Sequence, residues 1–272
     1  MTQQDWDQLC KETTNAMCEH IKPFVTPLSS EIEKDVGKLE GSGSYLDWND
    51  VRWAITNEHV ARIANTRPLN HQLFGSDLVF RIRQEFRVDV FPLDIGAAIT
   101  DSGAWQATTH VAQAIPESRL ANKHNPVEGE MLFLVGFPGQ RSTFLFESLI
   151  SPGTPYLTQE HPLPAEFDPN FHFALHWNPE LARSVDGSTR GLPLPPGLSG
   201  SLVWNTRRVE LAQGKEWSPT DAVVTGIVWG WNSDSCLLAT RVEHIRSFLN
   251  RRTLVPDVDV AGPRTKTWMA AP

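Results

Sequence analysis

The sequence predicts an all-β fold with a helix added at each end. Three observations carry this. From Gly41 onward the chain breaks into short apolar runs bounded by Gly, Pro, Asn and Asp, the mark of many strands joined by turns. Helical spacing of apolar residues is read near the two ends. Over 272 residues, 40% are hydrophobic and 21% charged, the balance of an ordinary globular chain with material for one large β domain or two small ones.

In chain order, Trp6, Leu9, Met17 and Ile21 recur at helical spacing between Asp5 and Lys22, and Pro23 stops the pattern. This predicts an amphipathic helix packed on the outside of the β core, with docking of a partner protein as the alternative. Predicted strands are Ser42–Trp48, Arg52–Thr56, Val88–Phe91, Ile95–Thr100, Met131–Gly136, Thr143–Ile150, His172–Trp177, Ser201–Asn205, Ala222–Trp231 and Cys236–Thr240. The Pro/His-rich stretch Ser151–Pro169 reads as a long surface connection, and Val242–Arg251 as a C-terminal helix. Three segments follow: a helical extension over 1–30, a main domain over 31–252, and a weakly patterned tail over 253–272, expected to be mobile or loosely draped.

Composition excludes several classes. With 24 Lys and Arg against 32 Asp and Glu the formal charge is −8, and no basic stripe with interleaved aromatics is present, so nucleic acid is not an expected partner. The N-terminus lacks the basic patch and apolar run of a secretory signal, and no segment approaches bilayer length, so no membrane role is expected. Three cysteines are too sparse for a disulfide framework and fit a reducing cytoplasm. Cys10 and Cys18 lie eight residues, about two turns, apart on one helix and cannot bridge each other within it. The ten tryptophans, from Trp6 to Trp268, read mainly as packing. His172 and His176 share a strand face but lack further ligands at metal spacing, and no phosphate loop or dinucleotide fingerprint occurs. No metal or cofactor is implied.

Three segments carry chemistry: Ile55-Thr56-Asn57-Glu58-His59-Val60, then Leu93-Asp94-Ile95-Gly96-Ala97-Ala98-Ile99, then Pro196-Gly197-Leu198-Ser199-Gly200-Ser201-Leu202-Val203. A hydroxyl is a weak nucleophile near neutral pH. It needs an imidazole to take its proton, and a buried carboxylate fixes the tautomer of that imidazole. His59, Asp94 and Ser199 supply these types in that order, which differs from the Ser, Asp, His order of α/β-hydrolases. On these motifs the chain resembles the trypsin-like, chymotrypsin-fold serine proteases, and most of all the bacterial high-temperature-requirement type. The resemblance spans about residues 41–250 and includes the Gly136-Phe137-Pro138-Gly139 turn and the apolar strand Val223–Gly230. It implies two six-stranded antiparallel β-barrels, a count that the predicted strands approach once short ones are missed.

The resemblance also assigns roles. His59 is the general base and then acid. Asp94, 35 residues on and 105 before Ser199, orients it. Asp89 is the rival carboxylate; Asp94 is preferred because the small-residue strand after it lets the carboxylate lie close beneath the imidazole. Each residue also has a plainer reading: a satisfied histidine, a turn aspartate, a Gly-Ser turn. The backbone N–H groups of Gly197 and Ser199 would form the oxyanion hole, with glycine accepting a positive φ. Val228, Trp229 and Gly230 would border the substrate, which pairs as an added strand. Leu198 stands where relatives activated by N-terminal cleavage carry aspartate, so that switch is not expected, and Ser201 replaces a common glycine. The uncharged Pro193, Leu194 and Pro195 point to an apolar or small side chain at the cleavage site. The expectation is a serine endopeptidase acting on a protein or peptide substrate. The alternatives are a catalytically silent protease-like binding module and an effector that needs a regulatory protein partner or ligand.

Overall fold

The computed structural model describes residues 2–33, 36–145, 148–185, 191–212, 216–232 and 236–251, so the expected tail at 253–272 lies outside them. Helix α1 (Gln3–Ile21) opens on a reciprocal cap in which the Thr2 hydroxyl accepts from the Asp5 N–H and the Asp5 carboxylate accepts from the Thr2 N–H. The cap satisfies donors that a helix start otherwise leaves unpaired. Met17 and Ile21 are fully buried, and Pro23 turns the chain into the tight 3-10 turn Lys22–Phe24.

One sheet holds β1 (Val25–Glu33), β2 (Val36–Trp48), β3 (Val51–Thr56), β4 (Leu69–Gln72), β5 (Val79–Arg81), β6 (Arg87–Asp89) and β7 (Ile95–Ile99) in the order β5-β4-β1-β2-β3-β7-β6, and β8 (Ile115–Pro116) pairs in parallel with β2. Helices α2 (Glu58–Ala61) and α3 (Ser102–Gln106) sit in its connections. A second sheet has β9 (Leu132–Gly136), β12 (Thr154–Thr158), β13 (Glu160–His161), β14 (His172–His176), β15 (Leu202–Asn205), β16 (Val223–Asn232) and β17 (Cys236–Arg241) in the order β12-β9-β15-β16-β17-β14-β13. A hairpin of β10 (Thr143–Leu145) and β11 (Ser148–Ile150) stands apart, and helix α4 (Val242–Asn250) follows β17. This is the expected all-β, two-barrel architecture with flanking helices.

Burial explains why the central strands read so clearly. On β9, Leu132 and Leu134 enter the core inside the second sheet, while Phe133 and Val135 enter a larger core shared with the first sheet and both end helices. On β3, Ala54 faces inward and Trp53 and Ile55 face the shared core. Alternate side chains point to opposite faces, so strands covered on both faces become continuous apolar runs. Met17, Ile21, Val242, Ile245, Phe248 and Leu249 bring α1 and α4 into the same core. The first helix therefore belongs to the packed body.

Four sequence expectations change. The sheets have eight and seven strands where six each were expected, because edge pieces of two or three residues take part. The strand β1 crosses the boundary drawn at residue 30. It was missed because its buried Thr26, Ser29 and Ser30 interrupt any apolar alternation. Within Ser151–Pro169, read as a connection, lie β12 and β13; β12 is an edge strand, where Pro155 is tolerated. Thr143–Ile150 is a hairpin and not one strand.

Candidate active site

The site is assembled from the ends of strands. At the end of β3, the Thr56 hydroxyl donates to the Ser42 carbonyl at 2.8 Å, and Asn57 is fully buried at the turn into α2. That turn presents His59 with its side chain 44% exposed, while Asp94 behind it is only 10% exposed. His59 Nδ1 lies 2.6 Å from Asp94 Oδ2, and the His59 backbone N–H donates to Asp94 Oδ1 at 3.0 Å. A carboxylate only accepts, so Nδ1 carries the hydrogen and Nε2 is left free to accept a proton.

Asp94 adopts φ of 48°, a left-handed conformation that aspartate tolerates better than most residues. Its carbonyl accepts from Asn57 Nδ2 at 2.8 Å. The adjoining Gly96 is required by space: a Cβ there would lie 2.7 Å from the Ala61 Cβ and 3.0 Å from the Asn57 carbonyl oxygen. The small-residue strand thus brings β7 against α2. Asp89 instead pairs with Arg251.

Ser199 lies just before β15 of the second sheet. Its carbonyl accepts from the Ser42 N–H at 2.8 Å, and the Ser42 hydroxyl donates to the Gly197 carbonyl at 2.7 Å while accepting from the Phe137 N–H at 2.9 Å. A Cβ built at Gly41 would meet Val60, the neighbour of His59, at 2.8 Å and the Ser199 carbonyl at 3.1 Å. The two chemical segments therefore flank one point. Among the described residues, no hydrogen bond joins the Ser199 hydroxyl to His59. Catalytic hydrogen bonds are often long without substrate and tighten on binding.

Planar trans peptides determine where the N–H groups of this loop point. The Pro196 carbonyl accepts from the Gly139 N–H at 3.0 Å, so the Gly197 N–H points the opposite way. The Leu198 carbonyl accepts from the Ser201 N–H at 3.0 Å, which turns the Ser199 N–H away likewise. Neither N–H is paired among the described residues, whereas the Leu198 N–H donates to the Pro195 carbonyl at 2.9 Å. Gly197 has φ of 102°, and a Cβ there would lie 2.4 Å from the Phe137 carbonyl oxygen. Leu198 is buried among Leu134, Val203 and Val228, so the loop is anchored by apolar packing in place of an ion pair.

Val228 spends both backbone groups on this loop, accepting from Gly200 and donating to Ser201, each at 2.9 Å. The pairing of β15 with β16 ends at Ile227, so beyond Val228 the β15-side edge of β16 continues through Trp229 and Gly230 without it. Trp229 stands 5.9 Å from Phe91, 5.7 Å from Phe167 and 5.2 Å from His172, ring centre to ring centre, and Phe91 is 61% exposed. Pro193 and Pro195 are buried and Leu194 is half exposed. Reasoning from sequence missed Ser42, His172 and Thr240, each holding a carbonyl of the site; a serine, histidine or threonine in a strand carries no distinguishing signal.

No known protein family matches the sequence, and no curated protein is similar to it. Among solved structures the chain is similar to the Rv3671c protease of M. tuberculosis in its active form, at 15% identity over 87% of this chain and 84% of that one, with a TM-score of 0.48. It is also similar to the thermostable serine protease AL20 from an extremophilic microorganism, at 12% identity over 84% and 96%, TM-score 0.49. A chain from a study of the disordered Sesbania mosaic virus VPg protein gives 12% identity over 83% and 90%, TM-score 0.46. Likeness this distant leaves the chemistry to be read from the site itself. Among the described residues no helix is long and apolar enough to cross a membrane.

Proposed function

We propose that the chain is a trypsin-like serine endopeptidase, with motifs similar to those of the bacterial high-temperature-requirement type. The observation that carries this is the double attachment of His59 to Asp94, through Nδ1 at 2.6 Å and the backbone N–H at 3.0 Å. It leaves Nε2 free to act as the base toward the Ser199 hydroxyl. The Ser199 hydroxyl attacks the scissile carbonyl and His59 takes its proton. The N–H groups of Gly197 and Ser199 stabilise the oxyanion, and His59 then protonates the leaving amine. Water, deprotonated by His59, hydrolyses the serine ester. Trp229 and Gly230 offer an open strand edge to the substrate backbone, and the uncharged Pro193–Pro195 segment supports preference for an apolar or small side chain. No cofactor enters the reaction, and a chain with only three cysteines is consistent with a reducing, cytoplasmic setting.

The test is fluorophosphonate labelling of purified protein, read by intact mass, beside Ser199→Ala and His59→Ala. Labelling of the wild type alone supports the proposal, and absence of labelling at every pH from 6 to 9 overturns it for the isolated chain. The reading of a silent module or partner-activated effector is favoured by one observation, the unmade hydrogen bond between Ser199 and His59. It predicts no labelling until a partner or ligand is added.

A further inference from the structure

Three consecutive carbonyls lead into and include Asp94, and each accepts from a side chain. His172 Nε2 lies 2.6 Å from the Pro92 carbonyl oxygen, the Thr240 hydroxyl donates to the Leu93 carbonyl at 2.7 Å, and Asn57 Nδ2 donates to the Asp94 carbonyl at 2.8 Å. Asn57 belongs to the His59 segment of the first sheet. His172 on β14 and Thr240 on β17 belong to the second, and they pair directly across the β14–β17 ladder. A carbonyl only accepts, so His172 must carry its hydrogen on Nε2. Its Nδ1 has no hydrogen-bond partner among the described residues, and His172 is 2% exposed, among Phe91, Phe167, Phe171 and Trp229. Burial, the largest influence, lowers its pKa, while the hydrogen bond to the Pro92 carbonyl and the charge of Asp168 oppose the shift and His244 assists it more weakly.

We infer that His172 and Thr240 are positioning residues, which fasten the Asp94 turn to the second barrel and so set the His59/Asp94 pair against Ser199. The inference rests on the endopeptidase reading of the site. Its physical basis is that the proposed base and nucleophile belong to different sheets, so small relative movements of the barrels change the distance the proton must cross. Ser42 ties the first sheet to the Gly197–Ser199 loop. His172 and Thr240 make the reciprocal tie, from the second sheet to the carboxylate turn. Without them the Pro92 and Leu93 carbonyls, which lead into the left-handed Asp94, would lose their hydrogen bonds to the second sheet.

The experiment compares wild type with Thr240→Val, Thr240→Ser and His172→Phe. Valine keeps the shape without the hydroxyl, serine restores the donor, and phenylalanine keeps the ring among its aromatic neighbours but cannot donate. Two readouts are taken: the fluorophosphonate labelling rate from pH 6 to 9, and the far-downfield proton resonance of the His59 Nδ1–H. Thermal midpoints verify folding. Misplacement of reacting groups by about 1 Å costs on the order of a hundredfold. The expected result is labelling slowed about ten- to a hundredfold in Thr240→Val and His172→Phe, Thr240→Ser within about threefold of wild type, and a downfield resonance broadened or shifted upfield only in the slowed variants. Wild-type rates and an unchanged resonance in both would overturn the inference. If the wild type itself does not label, the endopeptidase reading fails for the isolated chain, and the resonance alone decides whether the tie holds Asp94. Should either non-donating variant unfold, the other decides; if both do, a resonance and rate in Thr240→Ser that depart from wild type by no more than threefold support the tie, and larger departures overturn it.

Discussion

Replacing Asp94 with asparagine isolates the electrostatic and tautomeric part of the site. In the wild type Oδ1 accepts from a backbone N–H at 3.0 Å and Oδ2 from Nδ1 at 2.6 Å, so both oxygens act as acceptors. An asparagine has one oxygen and one NH2 group. The backbone N–H is a permanent donor, so the amide oxygen must turn toward it, and the NH2 then faces Nδ1. His59 can accommodate that donor only by moving its hydrogen to Nε2, where it can no longer take a proton from Ser199. In serine-protease triads the wrong tautomer costs about 10⁴ in rate, or about 5 kcal/mol of transition-state stabilisation. The assay is the second-order rate constant for fluorophosphonate labelling at pH 7.5, with a thermal melt to show that the fold persists. A rate within tenfold of wild type, in a folded protein, would refute the assignment of Asp94 as the residue that sets the tautomer of His59.

Two further outcomes follow from packing and burial. Gly200, next to Ser199, has φ of 91°, and a Cβ there would lie 1.9 Å from the Ser42 carbonyl oxygen and 2.4 Å from the Thr56 hydroxyl. Gly200→Ala is therefore expected to destabilise by more than about 4 kcal/mol in urea unfolding. Gly191→Ala, with nothing among the described residues within 4 Å of its Cβ, serves as the neutral control. In the first barrel, burial pushes His71 down to about 4, and its Nδ1 lies 2.7 Å from the Tyr45 hydroxyl. The unfolded chain takes up that proton near pH 6.5 and the folded one only near 4. The contribution is therefore complete above about pH 6.5 and declines as pH falls toward 4, by about 2 kcal/mol between pH 7 and 5. Unfolding free energies of wild type and His71→Gln at both pH values measure it; equal slopes would show that His71 does not carry the effect.

The sequence by itself determined the all-β class, the two end helices and the strands of the shared core. The double burial of the central strands writes itself as apolar-rich runs, unbroken in Leu132–Val135 of β9, and the Thr-Asn-x-His and Gly-x-Ser segments are local patterns. It also ranked Asp94 above Asp89, because the need for small residues beside a close carboxylate is visible in Gly96-Ala97-Ala98. Strand β1 was hidden because half of its buried residues, Thr26, Ser29 and Ser30, bear hydroxyls, and the Thr26 and Ser30 side chains are satisfied by tertiary contacts that no local pattern encodes. Strands β12 and β13 were hidden by proline and histidine at a sheet edge. Only the tertiary structure decided how the two barrels meet. Ser42 reaches Gly197 across 155 positions and Thr240 reaches Leu93 across 147. Hydrogen bonds between residues that far apart depend on where the folded chain brings each backbone carbonyl, and a serine or threonine looks the same in sequence whether or not a carbonyl is there to receive its proton.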